Sequence, residues 1–201
     1  MKPLMNPLMK PLMLRALALF SLLVCLGGCT TVVETATGGD GVKENPGKRS
    51  FGTMIDDSSI ETVVQVNIDA ADQALKNSHI SVISFNGVVL LVGQVPSQEL
   101  KNLATKVSTQ DSRVKTVHNE LEIAGATTFL SRSNDSWITT KLKTLMLTDQ
   151  KVKGMRIKVV TENGVVYLMG LVTQDEAKQA VDLVSNSSGV TKVVRAFEYI
   201  D

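Results

Sequence analysis

Asn86-Gly87-Val88-Val89-Leu90-Leu91-Val92-Gly93-Gln94-Val95 recurs 77 residues later as Asn163-Gly164-Val165-Val166-Tyr167-Leu168-Met169-Gly170-Leu171-Val172. An echo of this length marks a duplicated module, and it decides the fold before any other feature is weighed. Asn-Gly between β-branched runs is the strongest short-range hairpin signal, because both turn residues tolerate positive φ. The pattern predicts strands over 80–85 and 88–92 in one copy, and over 157–161 and 165–169 in the other. Gly93 and Gly170 are expected to end the second strand of each.

The repeat extends outward in both directions. Asp57-Ser58-Ser59-Ile60 matches Asp135-Ser136-Trp137-Ile138, and Val114, Val117, Leu121 and Ile123 match Val190, Val193, Phe197 and Tyr199. Ile60, Val64, Ile68, Ala71 and Leu75 have helical spacing, as do Ile138, Leu142, Leu145 and Met146. A second helix follows each hairpin, opened by Ser97 with Glu99 in one copy and by the capping-box spacing of Thr173 to Glu176 in the other. A last strand closes each copy, and the β-α-β step before it should lay that strand parallel to the second. The expected fold is α+β: two tandem αββαβ modules over 56–123 and 133–201, joined by a linker over 124–132. Each is a small three-stranded mixed sheet with two helices on one face.

Composition limits the chemistry. Five Phe, two Tyr and one Trp in 201 residues leave the cores mostly aliphatic, and two Cys with two His cannot supply a structural zinc site or a disulfide framework. His79 and His118 each lack a neighbouring Cys or second His and read as solvated side chains. Gly87 and Gly93 bracket a strand, whereas a phosphate cradle needs glycines leading into a helix amino terminus. Asp175 and Glu176 are explained by capping and the helix dipole. No acid/base pair or nucleophile stands out, so the chain reads as a non-enzyme without metal or cofactor.

The amino terminus reads as an address. Met1 to Leu14 carries a Pro-Leu-Met repeat with two Lys, followed by Arg15 and an apolar run from Ala16 to Leu26. The run is about half the ~20 residues a spanning helix needs, so residues 1–28 read as a signal peptide. Leu26-Gly27-Gly28-Cys29 looks like a bacterial lipobox, in which Cys29 is acylated and becomes the first mature residue. Cys25 falls in the discarded segment. Several acyl chains on one Cys, at roughly 0.8 kcal/mol per buried CH₂, exceed what stable anchoring requires. Residues 29–55, which include Gly38, Gly39, Gly41, Pro46 and Gly47, form the expected tether. Removing residues 1–28 takes away Lys2, Lys10 and Arg15 and no acid, leaving 18 basic against 20 acidic side chains, net −2. Bulk charge therefore gives no reason to expect nucleic acid as a partner.

The αββαβ order around an N-G-x-V-x-L-x-G-x-V core resembles the BON domain, and a lipobox followed by two such modules is similar to dual-BON outer-membrane lipoproteins. Asn134-Asp135-Ser136-Trp137-Ile138-Thr139-Thr140-Lys141 and Leu168-Met169-Gly170-Leu171-Val172-Thr173 carry the resemblance most specifically. It implies lipid anchorage in the outer membrane facing the periplasm, binding of anionic phospholipid such as phosphatidylglycerol or cardiolipin through the second module, a role in envelope integrity at division sites, and envelope or division proteins as partners.

The residues themselves point to the same module. Over 56–76 the first helix carries Asp56, Asp57, Glu61, Asp69 and Asp72 against Lys76, net −4, whereas over 134–151 Lys141, Lys143 and Lys151 stand against Asp135 and Asp149, net +1. Each basic residue near anionic lipid is worth about 1 kcal/mol. At about 100° per residue, Ile138, Leu142, Leu145 and Met146 form the core side, while Trp137 and Leu147 share the opposite arc with Thr140, Lys141, Lys143 and Thr144. Trp favours the membrane interface. Trp137, Lys141, Lys143 and Leu147 are thus the expected phospholipid contacts. Two other readings compete: a tethered adaptor whose acidic first module binds an envelope protein, and a membrane-damaging, haemolysin-type factor.

Overall fold

The computed structural model describes residues 47–125 and 129–200. The signal peptide, the lipobox with Cys25 and Cys29, and most of the tether lie outside the described residues.

Each module has the expected order. In the first, α1 (Phe51–Ala71) and the single turn α2 (Gln73–Lys76) precede β1 (His79–Phe85), β2 (Val88–Val95), α3 (Gln98–Ser108) and β3 (Thr116–Ile123). In the second, α4 (Phe129–Thr148) and a 3₁₀ turn (Gly154–Arg156) precede β4 (Ile157–Glu162), β5 (Val165–Val172), α5 (Gln174–Ser185) and β6 (Lys192–Tyr199). Both sheets place the second strand in the centre, antiparallel to the first and parallel to the third. Asn86 and Gly87 have φ of 55° and 77°, and Asn163 and Gly164 of 51° and 76°, so both hairpin turns use the left-handed region that Asn-Gly permits.

β2 is buried along its whole length, and its two faces meet different cores. Val89, Leu91 and Val95 pack with Ile60, Val64, Ile68, Ala104 and Val107 of the helices. Val88, Leu90 and Val92 pack instead against Tyr167, Met169, Leu171 and Ala196 of the other module. β5 is divided in the same way, with Val166, Leu168 and Val172 turned to α4 and α5. The two sheets therefore lie face to face, and the helices of each module cover the outer faces. A continuous Val/Leu run is the composition a strand buried on both faces requires.

Polar contacts ring this seam. Lys158 Nζ lies 2.7 Å from Glu61 Oε1, Asn86 Nδ2 donates to Glu198 Oε2 at 2.8 Å, and Gln94 Nε2 donates to Glu162 Oε1 at 2.8 Å. His79 is half-buried with its Nε2 3.9 Å from Glu162 Oε2, so it sits at the seam and is not a freely solvated side chain.

Several expected boundaries shift. α1 begins at Phe51, because the Ser50 side chain accepts the amide hydrogen of Thr53, and so the helix takes in the last five residues assigned to the tether. α4 begins at Phe129, inside the expected linker. The first helix stops at Ala71, since Asp72 is extended and its side chain accepts the amide hydrogen of Ala74 to start α2. Leu75 still reaches the core from α2, whereas Ala71 is exposed. Gly93 and Gly170 lie inside their strands, opposite Ile80 and Ile157. A Cβ on Gly93, at φ +128°, would stand 1.9 Å from the His79 carbonyl oxygen, so close backbone approach is what demands the glycine.

Candidate functional site

The outer face of α4 is built from a row of hydroxyls. Ser136, Thr140, Thr144 and Thr148 each donate to the carbonyl four residues earlier, at 2.9–3.0 Å. A hydroxyl proton spent on the helix's own backbone needs no outside acceptor, which lowers the cost of moving this face into a less polar medium. Ile138, Leu142 and Met146 fill the core from the opposite side of the helix. Leu145, expected among them, is 36% exposed at the margin of that face.

The four expected contact residues take up different positions along this face. Trp137 is 58% exposed, and the Lys141 Nζ lies 5.2 Å from its ring centroid, within cation–π range. Lys141 also donates to the Ser188 carbonyl oxygen at 3.2 Å, tying α4 to the loop before β6. Lys143 is exposed. Leu147 is 62% exposed and reaches a separate feature: a groove of about 510 Å³ whose lining includes Met146, Val152, Lys153, Met155 and Lys48. Trp137 and Lys141 form one cluster, and Leu147 belongs to another.

The acids counted by charge have mostly structural duties. Asp57 is buried, and its carboxylate accepts from the amides of Asn86 and Gly87 at 2.9 Å, from Ser84 Oγ at 2.7 Å, and from Arg49. Burial by itself would raise its pKa, but the hydrogen bonds from Gly87, Ser84, Asn86 and Arg49 outweigh that and hold it below the usual range. Asp135 is its counterpart, accepting from the amides of Asn163 at 2.8 Å and Gly164 at 2.9 Å. Glu61 is paired with Lys158. Asp149 accepts from the amides of Lys151 and Val152, which lower its pKa and close the turn after α4. With Asp135 buried under the hairpin, the outward face of α4 is more basic than its net charge of +1 suggests.

Two elements of this face escaped the sequence reading. Met155 is 89% exposed on the 3₁₀ turn, and Lys48, upstream of α1, lines the same groove. Lys151-Val152-Lys153-Gly154-Met155-Arg156, a basic segment with an apolar tip beside a glycine, is the signal that points to the first; nothing in the sequence places Lys48 beside Leu147. No helix among the described residues is long and apolar enough to cross a membrane.

Known proteins are similar to this chain in sequence. The BON domain family matches residues 56–125 and again residues 134–201. The outer membrane lipoprotein DolP of Haemophilus influenzae is 38% identical over 91% of this chain and 94% of its own. A 21 kDa hemolysin of Actinobacillus pleuropneumoniae is 34% identical over 76% of this chain and 78% of its own, and the osmotically-inducible protein Y of Escherichia coli is 29% identical over 80% and 81%. Two matches to one family, each falling on one half of a doubled αββαβ fold, show that the chain belongs to the BON-domain family as a two-module member.

Proposed function

We propose that this protein is an acylated outer-membrane lipoprotein, cut before Cys29, which holds its second BON module against anionic phospholipid and thereby supports envelope integrity at division sites. It is a binding protein and not an enzyme. The observation that carries the reading is the Trp137–Lys141 pair: an exposed indole beside an ammonium, on a helix face whose hydroxyls are satisfied internally. An indole gains at the acyl boundary while its N–H stays hydrated, and a lysine gains near phosphate. The similarity to a lipoprotein named for the outer membrane supports the anchor and the compartment. Weak contacts suffice in this arrangement, because an acyl chain on Cys29 keeps the module at high effective concentration near lipid.

An NMR titration of the delipidated protein with phosphatidylglycerol micelles tests the reading. Shifts are expected along α4 and few in the first module; equal response to zwitterionic micelles, or no loss with Trp137→Ala, would remove it. The similarity to a protein named a hemolysin gives the second reading its own assay, in which lysis of red cells by detergent-free protein would favour membrane damage.

A further inference from the structure

Trp137 and Leu147 stand about 15 Å apart along α4, at ~1.5 Å rise per residue, and only about 80° apart around it. Beyond Leu147 the chain doubles back. Gly154 packs so closely on α4 that a Cβ there would lie 2.5 Å from the Met146 carbonyl oxygen, and this approach leaves Met155 at the tip of the turn, the most exposed large apolar side chain among the described residues. Leu147, Val152 and Met155 form the apolar wall of the groove, exposed Lys48 and Lys153 lie on it, and no carboxylate lines it. Arg156 is engaged by Glu176 at 3.0 Å.

We propose that this groove is a second contact for an anionic phospholipid bilayer, separate from the Trp137 cluster. Met155 and Leu147 enter the acyl boundary, Lys48 and Lys153 meet lipid phosphates, and α4 lies along the surface with a foot at each end. Two observations commit the groove to a bilayer over a protein. Its charge is of one sign, complementary to anionic lipid. The upstream chain also reaches the fold here: Lys48 lines the groove, and Gly47 is buried against Arg156, so closely that a Cβ would stand 2.5 Å from its Nη1. Between Cys29 and Gly47 lie residues 29–46, which can span no more than about 65 Å even fully extended. The tether therefore joins the body at this corner, and an anchor at Cys29 keeps the corner within that reach of the membrane. The inference rests on the acylated, lipid-facing reading above.

The test uses the full acylated chain carrying Met155→Cys, in which acylation of Cys29 and removal of Cys25 leave residue 155 as the single free thiol. A polarity-sensitive dye is attached there, and the protein is reconstituted in phosphatidylcholine vesicles with or without phosphatidylglycerol, each containing a chain-labelled nitroxide quencher. Trp137, the one tryptophan of the chain, reports the other end independently. Both probes are expected to be quenched where phosphatidylglycerol is present, and Lys48→Gln or Lys153→Gln should each lower the docked-to-free ratio at residue 155 by about fivefold. Quenching of Trp137 with an unresponsive dye overturns the second contact and leaves the α4 reading intact. If neither probe responds, both fail. A dye response that is independent of phosphatidylglycerol, or that follows protein concentration without lipid as a second copy covering the groove would produce, also overturns it.

Discussion

Asp57 Oδ1 accepts the amide hydrogen of Gly87 at 2.9 Å, and 78 residues along the chain Asp135 Oδ1 accepts that of Gly164 at the same 2.9 Å. In each module one carboxylate, near the start of the long helix, secures the hairpin turn and so sets the helix against the sheet. On the second module this same contact sets α4, the helix that presents Trp137.

Removing that acceptor strands two turn amides. Asp135→Ala should destabilise the protein by about 2–4 kcal/mol, since each unsatisfied buried donor costs roughly 1–3 kcal/mol, and Asp135→Asn should cost less because one acceptor oxygen survives. Urea unfolding midpoints of the two variants give the comparison.

Acid sensitivity follows from Asp57. Its folded pKa lies below its unfolded value, so its contribution is complete above the unfolded pKa of about 4 and disappears as pH falls through the folded value. Asp111, brought to about 2 by its hydrogen bonds with Arg113, titrates out in the same acid window. Stability measured between neutral pH and about pH 2 should fall less steeply for Asp57→Asn than for the parent, although the variant starts lower.

The seam should make the two modules unfold as one. Tyr167→Ala is expected to cost about 3–5 kcal/mol, whereas Lys158→Met, which breaks the half-exposed pair with Glu61, should cost only about 1 kcal/mol or less. Leu90→Asp puts an unpaired carboxylate into the seam and should split a single calorimetric transition into two.

Glycine position separates strain from tolerance. Gly93→Ala, with its methyl aimed at the His79 carbonyl, should lose at least about 3 kcal/mol, whereas Gly125→Ala meets nothing within 4 Å and should stay within about 0.5 kcal/mol of the parent. Thermal melts of both variants check this.

Binding and stability should come apart at Trp137. The ring is more than half exposed, so Trp137→Ala is expected to shift stability by about 0.5 kcal/mol or less while reducing affinity for phosphatidylglycerol vesicles. Sedimentation with vesicles beside a denaturant curve distinguishes this from a folding defect.

The repeated Asn-Gly hairpins and the capping box of Thr173 with Glu176 were legible because each rests on contacts between residues close in sequence, and the direction of the last strand followed from the β-α-β crossover. The burial of Val88 to Val92 on both faces was not read from the sequence, in which nothing named the second sheet as the cover. Charge was the least legible property. Counting acids made the first helix strongly negative, yet Asp57 is held by Arg49 and the hairpin, and Glu61 by Lys158 from the other module.

The linear chain by itself determined the duplicated αββαβ plan, the hairpin turns, and the presence of an indole and lysines on one helix face, since periodicity and turn chemistry act over a few residues. Only the tertiary structure decided that the sheets close on one another, that Asp57 and Asp135 are hairpin clasps, and that Lys48 and Met155 meet Leu147 around one groove. Those relations join residues from 8 to more than 100 positions apart, and such partners are chosen by packing and desolvation across the folded body, which no local pattern encodes.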